Sequence, residues 1–94
     1  PAGQPRRALM EAMLREEIGQ VLRIAAARVP ADRPLRALGL DSLMALELRS
    51  RLERRTGLTL SPTLAWNHPT VQLLGAHLAE RLFHDRHQRI AMKQ

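Results

Sequence analysis

The sequence predicts an all-α domain: a small four-helix bundle, three helices long and one short, with a long first loop. Three observations carry this expectation. Aromatic residues are only 2% of the chain, Trp66 and Phe83 alone, so the core must be built from Leu, Val, Ile, Met and Ala. Those residues suit packed helices better than a sheet, which favours β-branched and aromatic side chains. Apolar residues then recur at helical spacing in three separate stretches, as one buried face per helix requires. Finally, capping and stopping residues punctuate those stretches at Asp41–Ser42, Gly57 and Ser61–Pro62.

Residues 1–8 are assigned to an N-terminal linker, with Pro and Gly at its start and no apolar pattern there. Helical patterning begins at about Arg7 and runs to Ala26. Met10, Leu14, Ile18, Val21, Leu22 and Ala25 form its apolar stripe, and Arg15, Glu16, Gln20 and Arg23 fall opposite. Gly19 weakens that helix without ending it. Residues 27–40 form the long connection, where Pro30 and Pro34 forbid a continuous helix. Val29, Leu35, Leu38 and Leu40 are read as pins that hold it to the core.

The second helix starts at Asp41–Ser42, and either side chain can cap it. Ala45, Leu48 and Leu52 make its buried stripe, with Leu46 flanking it. Arg54 and Arg55 suit the negative end of the helix dipole, and Gly57 supplies a left-handed stop. Ser61–Pro62 predicts a short helix over 62–66, broken by Asn67-His68-Pro69. Thr70 starts a last helix with Val71, Leu74, Leu78 and Leu82 inward and Leu73 beside them. The domain is placed at 9–83, and 84–94 is assigned to a C-terminal linker or tail that frays.

Composition narrows the function. A chain of 94 residues is one domain. With no cysteine there is no disulfide, zinc finger or cysteine nucleophile, and the expected compartment is the cytoplasm. No apolar run approaches the roughly 20 residues of a membrane span, and no signal peptide is visible. The net charge of +6 raises nucleic acid as a partner. The basic residues, nearly all Arg, are however spread over every helical segment, mixed with acids and without stacking aromatics. That argues against a nucleic-acid module. His77, His84 and His87 lack carboxylate or cysteine partners at ligand spacing and read as solvated surface. Met10, Met13, Met44 and Met92 read as filler, and Trp66 as a core anchor under the short helix.

The informative stretch is Gly39-Leu40-Asp41-Ser42-Leu43-Met44-Ala45-Leu46-Glu47-Leu48-Arg49. Ser42 lies where a loop enters a helix. The free N–H groups and partial positive charge there suit an anion such as a phosphate diester. A serine in this place is ordinarily just a cap. A nucleophile elbow would need glycine two residues before and after the serine, where Leu40 and Met44 stand. Nothing in the sequence supplies a base and an oxyanion site, so a hydrolase is not indicated.

Gly39-Leu40-Asp41-Ser42-Leu43 with its amphipathic helix resembles the attachment motif of acyl carrier domains in modular type I polyketide synthases. The flanks resemble that family too: Asp32-Arg33-Pro34-Leu35-Arg36-Ala37-Leu38, Arg49-Ser50-Arg51-Leu52 with Thr56-Gly57-Leu58, Leu60-Ser61-Pro62-Thr63-Leu64 and Asn67-His68-Pro69-Thr70. The resemblance implies a non-catalytic carrier. A separate phosphopantetheinyl transferase moves 4′-phosphopantetheine from coenzyme A onto the Ser42 hydroxyl, and acyl groups ride on its thiol. The missing cysteine is then no obstacle, because the sulfur belongs to the cofactor. Ketosynthase, acyltransferase, tailoring and thioesterase domains are the implied partners, in polyketide and antibiotic biosynthesis. The excised domain is expected to be a monomer.

By the same resemblance Asp41 aligns the serine and meets the transferase, or caps the helix. Leu43 lies beside the arm. Met44, Leu46, Glu47 and Arg49 are assigned to partner docking. Peptidyl carriers of nonribosomal peptide synthetases share the fold, but Leu40-Asp41 fits the polyketide form better. The second helix departs from the acidic docking helix of many fatty-acid carriers: Arg49, Arg51, Arg54 and Arg55 stand against Glu47 and Glu53. A Glu47–Arg51 salt bridge on a solvated face is the plainer reading of those charges.

Overall fold

The first helix, α1, runs over Gly3–Leu22 and buries Leu14, Ile18 and Val21, with Met10, Met13 and Leu22 half-buried against them. It stops before Ala26 because Arg23 adopts a left-handed φ of 61°. The Ile24 N–H then donates back to the Gly19 carbonyl at 3.0 Å, which is a Schellman closure. Ala25, expected on the buried stripe, is therefore exposed and outside the helix. The folded-back chain also explains Gly19. A Cβ there would stand 2.7 Å from the Ile24 carbonyl oxygen, so the glycine makes room for the turn. Gly19→Ala should accordingly destabilise the domain, although helix propensity alone favours Ala by about 1 kcal/mol. Thermal melting of the two proteins reads the sign.

The computed structural model describes residues 3–93, with side chains for residues 6–84. Residues 1, 2 and 94, the ends of the expected linker and tail, lie outside the described residues. Helix begins at Gly3, within the stretch assigned to the N-terminal linker, and the last helix continues past Phe83 to Lys93.

The long connection holds two 3₁₀ turns, Ala26–Arg28 and Leu35–Leu38. Val29, Leu35 and Leu40 are buried, and Leu38 is half-buried on the core, so all four pins hold. Polar ties complete the anchoring. Arg15 Nε donates to the Val29 carbonyl at 2.9 Å, the Leu35 N–H to Pro69 O at 2.8 Å and the Gln72 N–H to Ala31 O at 3.1 Å. Buried backbone groups need such partners.

Helix α2 spans Ser42–Thr56 and buries Ala45, Leu48 and Leu52. Gly57, at φ 74°, ends it. The short helix α3 covers Leu64–Asn67, a little later than expected, with Leu64 and Ala65 inward. The Ser61 hydroxyl accepts from the Thr63 N–H at 3.2 Å in the turn before it. Helix α4, Val71–Lys93, buries Val71, Leu74 and Leu78. It lies against α1 at Gly75, where a Cβ would touch Glu11 and Leu14. None of the helices among the described residues is long and apolar enough to cross a membrane.

Most charged side chains of α2 are paired at the surface of the bundle. Glu17, the one buried charged side chain among the described residues, meets Arg55 at 2.7 Å and Arg51 at 3.3 Å. Arg51 also reaches Glu47 at 3.3 Å, as the i, i+4 spacing predicts. Two arginines therefore clamp α2 to α1.

His68 and His77 stack, with ring centroids 3.9 Å apart and planes 15° apart. Burial holds the His77 imidazole below its ordinary range; His68 and Arg81 add to this and Glu80 opposes it. The unfolded chain takes that proton at about pH 6.5, before the folded one does. Stability is then full above that pH and is lost as pH falls through the depressed folded value. His77→Gln should flatten the dependence of the melting temperature on pH between about 7.5 and 5. A slope equal to the wild type's would show that the pair does not matter to stability.

Candidate functional site

Ser42 is the first residue of α2 and is exposed. The cap is Asp41: its backbone is extended at φ −99° and ψ −177°, and its Oδ1 accepts from the Met44 N–H at 2.8 Å. That settles which of the two side chains caps the helix and releases the other. The Ser42 hydroxyl has no hydrogen-bond partner among the described residues, and the Ser42 and Leu43 N–H groups have no backbone acceptor there. An uncommitted hydroxyl thus stands at the positive end of a 15-residue helix.

The turn that presents it is anchored on both sides. Leu40 is buried and its N–H donates to Leu35 O at 3.1 Å; Ala45 is buried after it, and its N–H donates to Asp41 O at 2.9 Å. Gly39 takes φ 105°, a conformation that an L side chain adopts only with strain.

Ser42 opens onto a depression of about 530 Å³ lined by Arg36, Leu40, Asp41, Ser42 and Trp66. Trp66 is half-buried: it packs against the core, as expected of an anchor at the short helix, and also forms a wall of this depression. The Arg36 guanidinium lies 5.5 Å from the centroid of its ring. Arg36 and Trp66 escaped the sequence reading because they are far from Ser42 in sequence or on another element. That Trp66 is the sole tryptophan was the one available signal. No histidine lines the depression: His68 is stacked on His77 instead. Among the described residues no group of three or more His, Cys, Asp or Glu is placed to hold a metal ion.

Leu43, expected beside the arm, does not line the depression, and it and the four residues assigned to docking divide by environment. Leu43 is 78% exposed and Leu46 45%, while Met44 is half-buried on the core. Glu47 is exposed and paired with Arg51. Arg49 is tied inward, its Nε donating to the Leu60 carbonyl at 2.7 Å and its Nη2 lying 3.6 Å from Glu53. The apolar step formed by Leu43 and Leu46 therefore stands open beside Ser42, and Arg49 bonds to the chain after α2.

Residues 13–78 match the family model described as a phosphopantetheine attachment site. Over 76 residues the chain is 42% identical to a phenolphthiocerol/phthiocerol polyketide synthase from Mycobacterium tuberculosis, covering 81% of this chain and 4% of that protein. It is 45% identical over 82 residues to the polyketide synthase GfsA of Streptomyces halstedii, covering 86% of this chain and 1% of that one. The chain thus spans a few per cent of the length of these curated relatives. Among solved structures it is similar to a free-standing peptidyl carrier protein from Acinetobacter baumannii, with a TM-score of 0.77 and 33% identity over 81% of this chain and 95% of that one. It is equally similar to an A1-type ACP domain from module 5 of MLSA1, with a TM-score of 0.77 and 37% identity over 83% and 79% of the two chains.

Proposed function

The chain belongs to the phosphopantetheine-attachment family, and from that premise we propose that it is an acyl carrier domain of a polyketide synthase with Ser42 as the attachment residue. A domain of this family is a non-catalytic tether that carries 4′-phosphopantetheine covalently. The residues present fit that group. The hydroxyl is exposed and uncommitted, free N–H groups and the helix dipole favour its phosphate, and the depression beside it is open. The uncommitted Ser42 hydroxyl, released by Asp41 taking the cap, is the observation that carries the reading. The cofactor supplies a thiol on which acyl groups are held as thioesters; the protein supplies a fixed, accessible root.

Attachment joins Ser42 Oγ to the phosphorus of the pantetheine phosphate and breaks the diphosphate bond of coenzyme A. Adenosine 3′,5′-bisphosphate leaves, and the hydroxyl proton passes to the transferase. The Ser42 hydroxyl makes no hydrogen bond to the Asp41 carboxylate, which lines the same depression and caps the helix through Oδ1, and the base is assigned to the transferase. Leu43 and Leu46, with Met44 behind them, are the surface offered to that enzyme and to ketosynthase, acyltransferase, tailoring and thioesterase domains. Glu47 marks the polar edge of this surface. The carrier domain spans residues 9–83, with α1 and α4 continuing as helix beyond it.

The relatives named as polyketide synthases favour this reading over a peptidyl carrier. Loading separates the two. The phosphopantetheinylated protein should gain the mass of a malonyl-type group from an acyltransferase and its coenzyme A thioester. It should gain nothing from an adenylation domain with ATP and amino acids. The opposite pattern would make it a peptidyl carrier.

A further inference from the structure

We propose that Arg36 and Trp66 form a seat for the root of the arm, so that the cofactor rests across the depression beside Ser42 and is not free at every moment. This rests on Ser42 being the attachment residue. The depression is shared: Arg36, Leu40, Asp41 and Trp66 line the same space as the serine. A phosphodiester at Ser42 Oγ carries one negative charge at any ordinary pH. The next carbons of the arm bear a geminal dimethyl group, which is apolar. The site offers a partner for each.

Arg36 makes no hydrogen bond or ion pair through its side chain among the described residues; it is held over the Trp66 ring. Its planar donors are therefore available, and a guanidinium can pair with a phosphate while staying stacked on an aromatic face. Trp66 and buried Leu40 supply the apolar wall. The Asp41 carboxylate also lines the space and repels a phosphate, but its Oδ1 is already committed to the Met44 N–H. Arg36 is the cation in that depression that offsets it.

A seat of this kind is weak, which is what a carrier needs. An exposed cation–π contact and an exposed charge pair favour the seated arm by about two- to five-fold. The arm then rests against the protein between visits and leaves without a large barrier. Leu43 and Leu46 do not line the depression, so a seated arm leaves them open to a docking enzyme.

The protein carries its own probe, since Trp66 is the sole tryptophan and there is no tyrosine. Each protein is treated with coenzyme A, magnesium and a promiscuous transferase, and loading is followed by intact mass. Trp66 emission and its quenching by acrylamide are then compared between unloaded and loaded forms of the same protein. Loading the wild type should reduce quenching and shift emission to the blue, and Ser42→Ala should show neither change. Arg36→Gln, at an exposed position, should load to the same mass but lose most of the response, and Arg36→Lys should retain part of it. The ³¹P resonance of the phosphodiester should differ between loaded wild type and loaded Arg36→Gln. A loaded wild type quenched like the unloaded one, or a full response in Arg36→Gln, overturns the seat. No mass gain in the wild type overturns the assignment of Ser42 itself, and the seat falls with it.

Discussion

Ser42→Ala should abolish phosphopantetheine loading outright while leaving the domain as stable as the wild type to within a few tenths of a kcal/mol. The two halves of this result have separate causes. Loading fails because the alanine has no oxygen to form the phosphodiester, and no neighbouring hydroxyl replaces it in the depression. Stability is kept because Ser42 is not the cap. Asp41 accepts the bond from the Met44 N–H, and an exposed first-turn serine contributes nothing comparable. Asp41→Ala is the contrasting variant. It keeps the attachment hydroxyl but removes the cap, at about 1 kcal/mol. Intact mass after transferase treatment reads the first effect, and thermal melting the second. A Ser42→Ala protein that melted as low as Asp41→Ala would mean that the cap had been assigned to the wrong residue.

Leu48→Ala should be the most damaging single change in stability. Leu48 is 1% exposed and sits between Ala45 and Leu52 on the buried face of α2. Removing its branched end leaves a cavity that close-packed neighbours fill only partly, at about 2–5 kcal/mol. A small domain has about 5–15 kcal/mol in total, so much of its stability would go. At roughly 4–8 °C per kcal/mol, the melting temperature should drop by roughly 8–40 °C. Loading should fall as well, but only as the folded fraction falls, because Ser42 is untouched. Leu43→Ala should not melt lower by more than about 0.5 kcal/mol, since its side chain is mostly in water. Equal losses in the two variants would contradict the assigned face of α2.

Much of the fold was legible in the residues because helices record their environment locally. The stripes Leu14–Ile18–Val21, Ala45–Leu48–Leu52 and Val71–Leu74–Leu78 are all buried as spacing predicted. The pins of the long loop are legible for the same reason: an apolar residue in a polar segment must go somewhere. The misses are a close approach and a backbone conformation that no residue pattern announces. Propensity read Gly19 as a weakness, and only the chain folding back from Arg23 to Ile24 shows why a side chain cannot stand there. Helical periodicity carried α1 on to Ala26 because Arg23 holds no visible stop signal; it is an arginine in a conformation usually left to glycine. At the other end, α4 continues as helix past Phe83 to Lys93.

The site divides in the same way. The sequence by itself determined that Ser42 opens a helix, that no nucleophile elbow surrounds it, and that its flanks match an attachment motif. These follow from local pattern, and the attachment-site family model covers the stretch that holds Ser42. Only the tertiary structure decided which residue caps the helix, because Asp41 and Ser42 carry equally competent oxygens and the choice lies in backbone geometry. It also decided what the arginines do. Arg51 and Arg55 turn inward to Glu17 and Arg49 to the Leu60 carbonyl, so the basic count of α2 overstates its basic surface. And it alone brought Arg36 and Trp66 to one depression beside Ser42, since a stacked cation and ring are joined by packing and have no spacing to announce them.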